Sequence, residues 1–247
     1  MQSCFCQVGS CVLCEAELHS EVSSEQVCQI RGLLSKHSYD AHEILFREGD
    51  PGTYLLLIRE GHVKLTTLSA DGREQIIGLG VAGHVIGFDT MDDDVYTHTA
   101  ETLTPVSACT IRRKDMLQIL EQNPAVSLRL VEILNEELKQ AKTLIRVLGH
   151  KSPIGKIATF ILSLLPPRGV IPRELLLPLS REEVAEMVGL TEETVSRVMA
   201  DLKRKGVIEA PRGYVRILDR NRIYSLAGIS APPIGLGSRF SFASDKL

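Results

Sequence analysis

The sequence predicts an α+β chain. An antiparallel β sandwich or barrel fills the first half, one long helix follows, and a winged helix-turn-helix lies near the C-terminus. Three observations carry this prediction. Between His42 and Ile111, short apolar runs alternate with turn signals roughly every 8–12 residues. From Val131 to Leu148, apolar residues recur at alternating steps of three and four. From Ser180 to Gly206, a glycine separates two helical patterns, and the second carries polar and charged residues on its outer face.

Composition sets the bounds. The chain has 247 residues, 44% hydrophobic and 24% charged, enough for one large or two modest domains with proper cores. Net charge is −3, which by itself argues against a nucleic-acid partner. Its distribution argues the other way. Residues 151–225 carry 13 Lys and Arg against 9 Asp and Glu, whereas 1–150 carry 13 against 21. A mildly basic half behind an acidic one can still bind DNA, because the local field decides. No apolar run approaches the roughly 18–20 residues of a membrane span, so no membrane partner is expected. The N-terminus has no basic n-region and no long apolar h-region, so the expected location is cytoplasmic. Cysteines stay reduced there.

Residues 1–22 read as a cysteine-rich arm. Cys4, Cys6, Cys11 and Cys14 stand in C-x-C-x4-C-x2-C spacing. Thiolates so dense repel one another and oxidise readily, so a metal centre is the natural reason for them. Zinc on four thiolates and an iron–sulfur cluster both fit, and spacing does not choose between them.

Residues 23–125 form the sensor segment. An amphipathic helix over 23–36 would carry Val27, Ile30 and Leu34, with Cys28 as a small apolar residue. Strands are expected over 54–58, 63–68, 75–79, 85–88 and 106–111, and helices return at Arg113. Cys109, in Ala108-Cys109-Thr110-Ile111, reads by itself as a core cysteine.

Residues 126–150 form a long helix from Ser127 to His150. Val131, Leu134, Leu138, Ala141, Ile145 and Leu148 make a heptad seam suited to pairing with a second copy of the chain. Leu130, Ile133 and Leu144 make a second stripe for the chain's own barrel. Gly149 to Pro153 should end this helix and act as a hinge. The segment 151–225 opens with a helix over 154–165, closed by Pro166-Pro167. The tail, 226–247, is rich in Gly, Pro and Ser and is expected to be disordered.

Ser180 and Glu183 form an S-x-x-E capping box at the start of the first helix of the motif. Val184, Ala185 and Val188 give that helix an apolar face, and Gly189 permits a sharp turn. Thr191 caps a second helix whose inner face is Val195, Val198 and Leu202. Its outer residues are Glu193, Thr194, Ser196 and Arg197. A carboxylate such as Glu193 can accept from cytosine N4, and Arg197 can donate to guanine O6 and N7. The competing reading is a solvated ion pair between Glu193 and Arg197, four residues apart. Lys203, Arg204 and Lys205 end the helix, where cations suit the dipole and can meet phosphates. Val207-Ile208 and Tyr214 to Ile217, joined through Pro211-Arg212-Gly213, read as a two-stranded wing.

With these motifs in this order, the chain from about residue 4 to 225 resembles the Crp/Fnr family, specifically its oxygen-responsive Fnr branch. Glu193-Thr194-Val195-Ser196-Arg197 is similar to the branch's recognition-helix signature. Val85-Ile86-Gly87-Phe88-Asp89, Ala100-Glu101-Thr102-Leu103 and Asp71-Gly72-Arg73-Glu74-Gln75-Ile76 resemble its barrel. The resemblance implies a β jelly-roll sensor of cyclic-nucleotide-binding type, a long dimerisation helix and a winged helix-turn-helix. It implies a [4Fe-4S] cluster held by Cys6, Cys11, Cys14 and Cys109, with Cys4 as an alternative arm ligand. The arm spacing departs from the C-x2-C-x5-C of the branch. The implied partners are a second copy of the chain and double-stranded DNA with a two-fold TTGAT…ATCAA site, read by Glu193, Ser196 and Arg197. RNA polymerase is the third, touched at the Asp71-Gly72 hairpin.

A cyclic-AMP pocket needs a Gly-Glu pair and an Arg-Ser pair to grip the phosphate. Gly87-Phe88-Asp89 and Tyr96-Thr97-His98 stand there instead, without an arginine. A haem or nitric-oxide effector could use His62, His84 or His98, although a lone barrel histidine is usually structural. A zinc- or thiol-based redox arm would keep the fold. A zinc-stabilised interaction module would keep the arm but not require the DNA-reading residues. An enzyme is not expected: the chain has no G-x-S-x-G, P-loop or H-E-x-x-H.

Overall fold

The computed structural model describes residues 30–69, 72, 74–89, 94–150, 152–165 and 174–229. Cys4, Cys6, Cys11, Cys14 and Cys28, the Asp71 hairpin residue, Pro166-Pro167 and most of the tail lie outside the described residues. The chain divides into two compact units, Met1–Lys142 with Pro178–Met187, and Thr143–Leu177 with Val188–Leu247.

The first unit is built on two four-stranded antiparallel sheets. One orders as β1 (Ser35–Tyr39), β8 (Val106–Arg112), β3 (Tyr54–Glu60) and β6 (Val85–Ile86). The other orders as β2 (Ile44–Phe46), β7 (Thr99–Thr102), β4 (His62–Leu68) and β5 (Glu74–Val81). Eight strands alternating between two sheets in this way make a jelly roll. Strand alternation divides the core. On β3 and β8, Leu56, Ile58, Val106 and Ala108 join Phe46, Val63 and Ala100 in one apolar cluster. Their neighbours Leu55, Leu57, Cys109 and Ile111 point the other way. That second face is covered by α1 (Arg113–Gln122) through Met116 and Ile119, and by α2 (Pro124–Gly149) through Val126, Leu130 and Ile133.

The structure corrects the expected helix over 23–36. Of its described part only residues 30–32 are helical, and Ser35–Tyr39 is β1, paired with Val106 to Thr110. β1 is an edge strand with four of its five residues exposed, so it shows no apolar alternation. Backbone pairing to β8, not side-chain burial, makes it a strand. β2 and β7 were also absent from the expectation. They are short, and the polar residues of Thr99–Thr102 serve as partners: Thr102 Oγ1 accepts from Glu43 N at 2.8 Å and donates to Asp40 O at 2.6 Å. The long helix begins at Pro124, three residues before Ser127, because proline suits the first helical position.

In the second unit, α3 (Pro153–Ser163) packs against α5 (Glu192–Arg204) and α6 (Arg220–Leu226). Ser152 caps α3, its hydroxyl accepting from Gly155 N at 3.1 Å. Ile157, Ala158, Phe160 and Ile161 of α3 are buried, as are Val195, Met199 and Leu202 of α5 and Ile223 of α6. The wing has three strands, not two: β10 (Ile208–Glu209), β11 (Tyr214–Ile217) and β9 (Leu175–Leu176). The last turns of α2, from Thr143, group with this unit.

Candidate nucleic-acid interface

The helix-turn-helix is α4 (Arg181–Val188), a turn at Gly189, and α5. The capping box forms as its sequence requires: Ser180 Oγ accepts from Glu183 N at 3.1 Å, and Glu183 Oε2 accepts from Ser180 N at 2.8 Å. Gly189 has φ +62°, the left-handed conformation that lets a helix stop and the chain turn. Thr191 then caps α5, its Oγ1 accepting from Thr194 N at 3.3 Å.

The two faces of α5 separate cleanly. Val195, Met199 and Leu202 are buried, and Val198 is half-buried. Met199, which the sequence pattern did not assign, fills the place between them. Glu193, Ser196 and Arg197 are exposed. Among the described residues no ion pair joins Glu193 to Arg197, so both heads remain available to base edges. Thr194 is drawn back into the cap, its hydroxyl 2.9 Å from that of Thr191. At the end of α5, Lys203 and Arg204 are exposed, and Asp201 pairs with Arg204 and, at 2.6 Å, with Lys205. Arg216 ties the wing together by pairing with Glu174 ahead of β9 and with Glu209 on β10. Gly213 turns the chain at the tip with φ +78°.

One residue at the turn carries no signal in the sequence pattern. Lys156 of α3 donates from Nζ to Val188 O at 3.1 Å and to Gly189 O at 3.3 Å, at the turn itself.

The expected seam lies along α2. Val131 is 61% exposed, Leu138 50% and Ile145 69%, with Ala141 and Leu148 also exposed. Leu128, outside the expected seam, is 66% exposed and extends the stripe. Leu134 is half-buried and packs against the helix-facing core of the sensor. A stripe of this kind is what a coiled-coil partner covers.

Cys109 is buried in the wall that also contains Ile30, Leu57 and Val85, and it is not in a disulfide. Among the described residues no three His, Cys, Asp or Glu side chains converge as a metal site.

The two loops that carry Asp89 and Thr97-His98 bind each other. Asp89 Oδ2 accepts from Thr97 N at 2.9 Å and from the Thr97 hydroxyl, and lies 3.3 Å from His98 Nδ1. Burial disfavours the charged form of Asp89, yet hydrogen bonds from His98 and Thr97 outweigh it and hold the carboxyl well below its usual range. A carboxylate here repels a phosphate. His84 lies 3.7 Å through Nδ1 from Glu137 Oε1 on α2. Burial pushes Glu137 up to about 7, although it accepts a backbone hydrogen bond from Val85. Burial also holds the His84 and His62 imidazoles below their ordinary values.

A jelly-roll sensor, a long helix and a winged helix-turn-helix define a class of DNA-binding transcription regulator. Comparison with known proteins gives the family. A model of the cyclic nucleotide-binding domain matches residues 36–123, and a model of the Crp-like helix-turn-helix domain matches 155–226. The transcriptional activator protein FnrA of Stutzerimonas stutzeri is 34% identical over 191 residues, covering 75% of this chain and 78% of that protein. The fumarate and nitrate reduction regulatory protein of Vibrio cholerae is 28% identical over 221 residues, covering 88% of each. The solved structure of FixK2 from Bradyrhizobium japonicum aligns with a TM-score of 0.70 at 25% identity, covering 81% of this chain and 99% of that one. The chain belongs to the Crp/Fnr family. It is a transcription regulator and not an enzyme. Among the described residues no helix is long and apolar enough to cross a membrane.

Proposed function

We propose that this chain is an oxygen-responsive, homodimeric regulator of the Fnr type, acting in the cytoplasm. Two copies pair along the α2 seam and place two α5 helices on a two-fold TTGAT…ATCAA site. Glu193, Ser196 and Arg197 read bases there, and Lys203 and Arg204 meet phosphates. The tip of the β4–β5 hairpin is the surface offered to RNA polymerase.

The observation that carries the oxygen reading is the position of Cys109. Its buried thiol shares a wall with Ile30, the first described residue after a segment that carries the other five cysteines. A soft thiolate in an apolar wall suits iron ligation. Cys109 would hold a [4Fe-4S] cluster with Cys6, Cys11 and Cys14, or with Cys4 in place of one of them. When bound, such a cluster supplies reactivity toward oxygen. The chain's own part would be to supply these thiols, Cys109 from the wall that α1 and α2 cover. Cyclic nucleotide is disfavoured as the signal, because Asp89, Thr97 and His98 satisfy one another where a phosphate would need an arginine.

The test is iron and acid-labile sulfide content of protein purified without air, with visible spectra before and after air. Brown protein that bleaches in air supports the reading, and Cys109→Ala should remove the colour and leave the fold. Colourless zinc protein would replace the cluster with a zinc arm. A Cys109→Ala variant with full cluster absorbance would place the fourth ligand elsewhere.

A further inference from the structure

The last carbonyls of a helix have no partner within it and carry the negative end of the helix dipole. At the end of α4 those groups are Val188 O and Gly189 O, and the chain turns there with φ +62°. Lys156, on α3, donates to both, at 3.1 and 3.3 Å. Its ammonium also lies 3.6 Å from where a Cβ on Gly189 would stand, so it lines the inside of the turn together with Leu148 Cδ2 at 3.4 Å. Two residues later Thr191 caps α5, whose outer face carries Glu193, Ser196 and Arg197. The peptide that launches the recognition helix is therefore tied to α3 by one charge. α3 is itself well anchored, with six of its eleven residues buried.

We infer that Lys156 is a positioning residue for base reading. It touches no base; it fixes the point and direction from which α5 leaves the turn. Sequence-specific contact needs this, because a bidentate hydrogen bond to a base edge tolerates little displacement of the helix. Non-specific binding does not need it, because that binding rests on charge facing phosphates. The ammonium of Lys156 is turned toward carbonyls instead. The two modes of binding should thus respond differently to its loss.

The inference rests on the proposed reading of a TTGAT…ATCAA site, and the experiment separates the two. Full-length wild-type dimer, prepared without air, is titrated over a range of salt with a duplex carrying that site and with a random duplex of equal length. If the wild type does not prefer the site, the proposed reading fails. If it does, Lys156→Met, which keeps the apolar stem and removes the charge, should lose about tenfold on the site. It should stay within about twofold on random DNA, with an unchanged salt slope. Lys156→Arg should recover most of the preference. Lys203→Ala serves as the contrast: it should weaken both duplexes alike and flatten the salt slope by about one phosphate contact. Unchanged site preference in Lys156→Met overturns the inference, because the turn then holds without the ammonium. An equal loss on both duplexes, or a flattened slope, overturns it too, because Lys156 would then be a phosphate contact. Should Lys156→Met unfold, Lys156→Gln decides the question on the same two ratios.

Discussion

The outer face of α5 and the loops around Asp89 use similar residue types in opposite ways. On α5, Glu193 and Arg197 stand exposed, four residues apart, with no ion pair between them. In the sensor, Asp89, Thr97 and His98 are drawn together, with only His98 buried. The first arrangement leaves donors and an acceptor free for a partner. The second has already spent them internally, so a new ligand would have to break charge-assisted hydrogen bonds before it gained any. The contrast teaches that the outer face of α5 leaves its polar groups open to a partner, whereas the loops around Asp89 use theirs on one another.

The sharpest way to break the comparison is to disturb the buried side of α5 without touching its reading side. Leu202 is fully buried, and Leu202→Ala should cost about 2–5 kcal/mol of stability, read by denaturant unfolding. A loss below about 1 kcal/mol would mean that the helix is not held by its inner face. The complementary change is Arg197→Ala. It should leave stability within about 0.5 kcal/mol, yet cost about 1–3 kcal/mol of affinity and relax the choice of base in each half-site. Unchanged selectivity in competition against sites altered at the guanine would remove Arg197 from base reading.

The smallest effect sharpens the sensor side. Glu137 titrates near 7 in the folded protein, raised by burial from about 4.5. A raised carboxyl favours the folded state fully below its unfolded value, and that contribution is lost as pH rises through the folded value. Stability from Glu137 should therefore decline between about pH 5 and pH 7, by about 1–2 kcal/mol after allowing for partial exposure. His84, held low by burial, pulls in the opposite direction. The readout is thus the difference between wild type and Glu137→Gln across this range. Parallel curves would show that the carboxyl does not titrate there.

The parts of the fold legible in advance were those governed by neighbours in the chain. The capping box at Ser180 and Glu183, the cap at Thr191 and the turn at Gly189 each involve groups within four residues of one another, and each formed as read. Strands β3, β4 and β8 were legible because their apolar runs feed two cores, and β5 because its run buries Ile76. β1 was not, because an edge strand with four exposed residues of five leaves no hydrophobic signature. The third wing strand, β9, is only two residues long and pairs with β11 from across a long sequence gap. Among the residues expected to read bases, Glu193, Ser196 and Arg197 lie outward as their helical spacing implies, while Thr194 is drawn into the cap.

Taken alone, the sequence settled what local chemistry settles: where helices start and stop, which face of α5 is apolar, and that a family of regulators shares these motifs. Tertiary structure alone decided the rest. It set Lys156 against the carbonyls of Val188 and Gly189, closed Asp89 onto Thr97 and His98, and buried Glu137 enough to lift its carboxyl to about 7. The reason is range. A cap or turn depends on atoms a few bonds apart, whereas a buried charge depends on which distant groups the folded chain brings within a few ångströms.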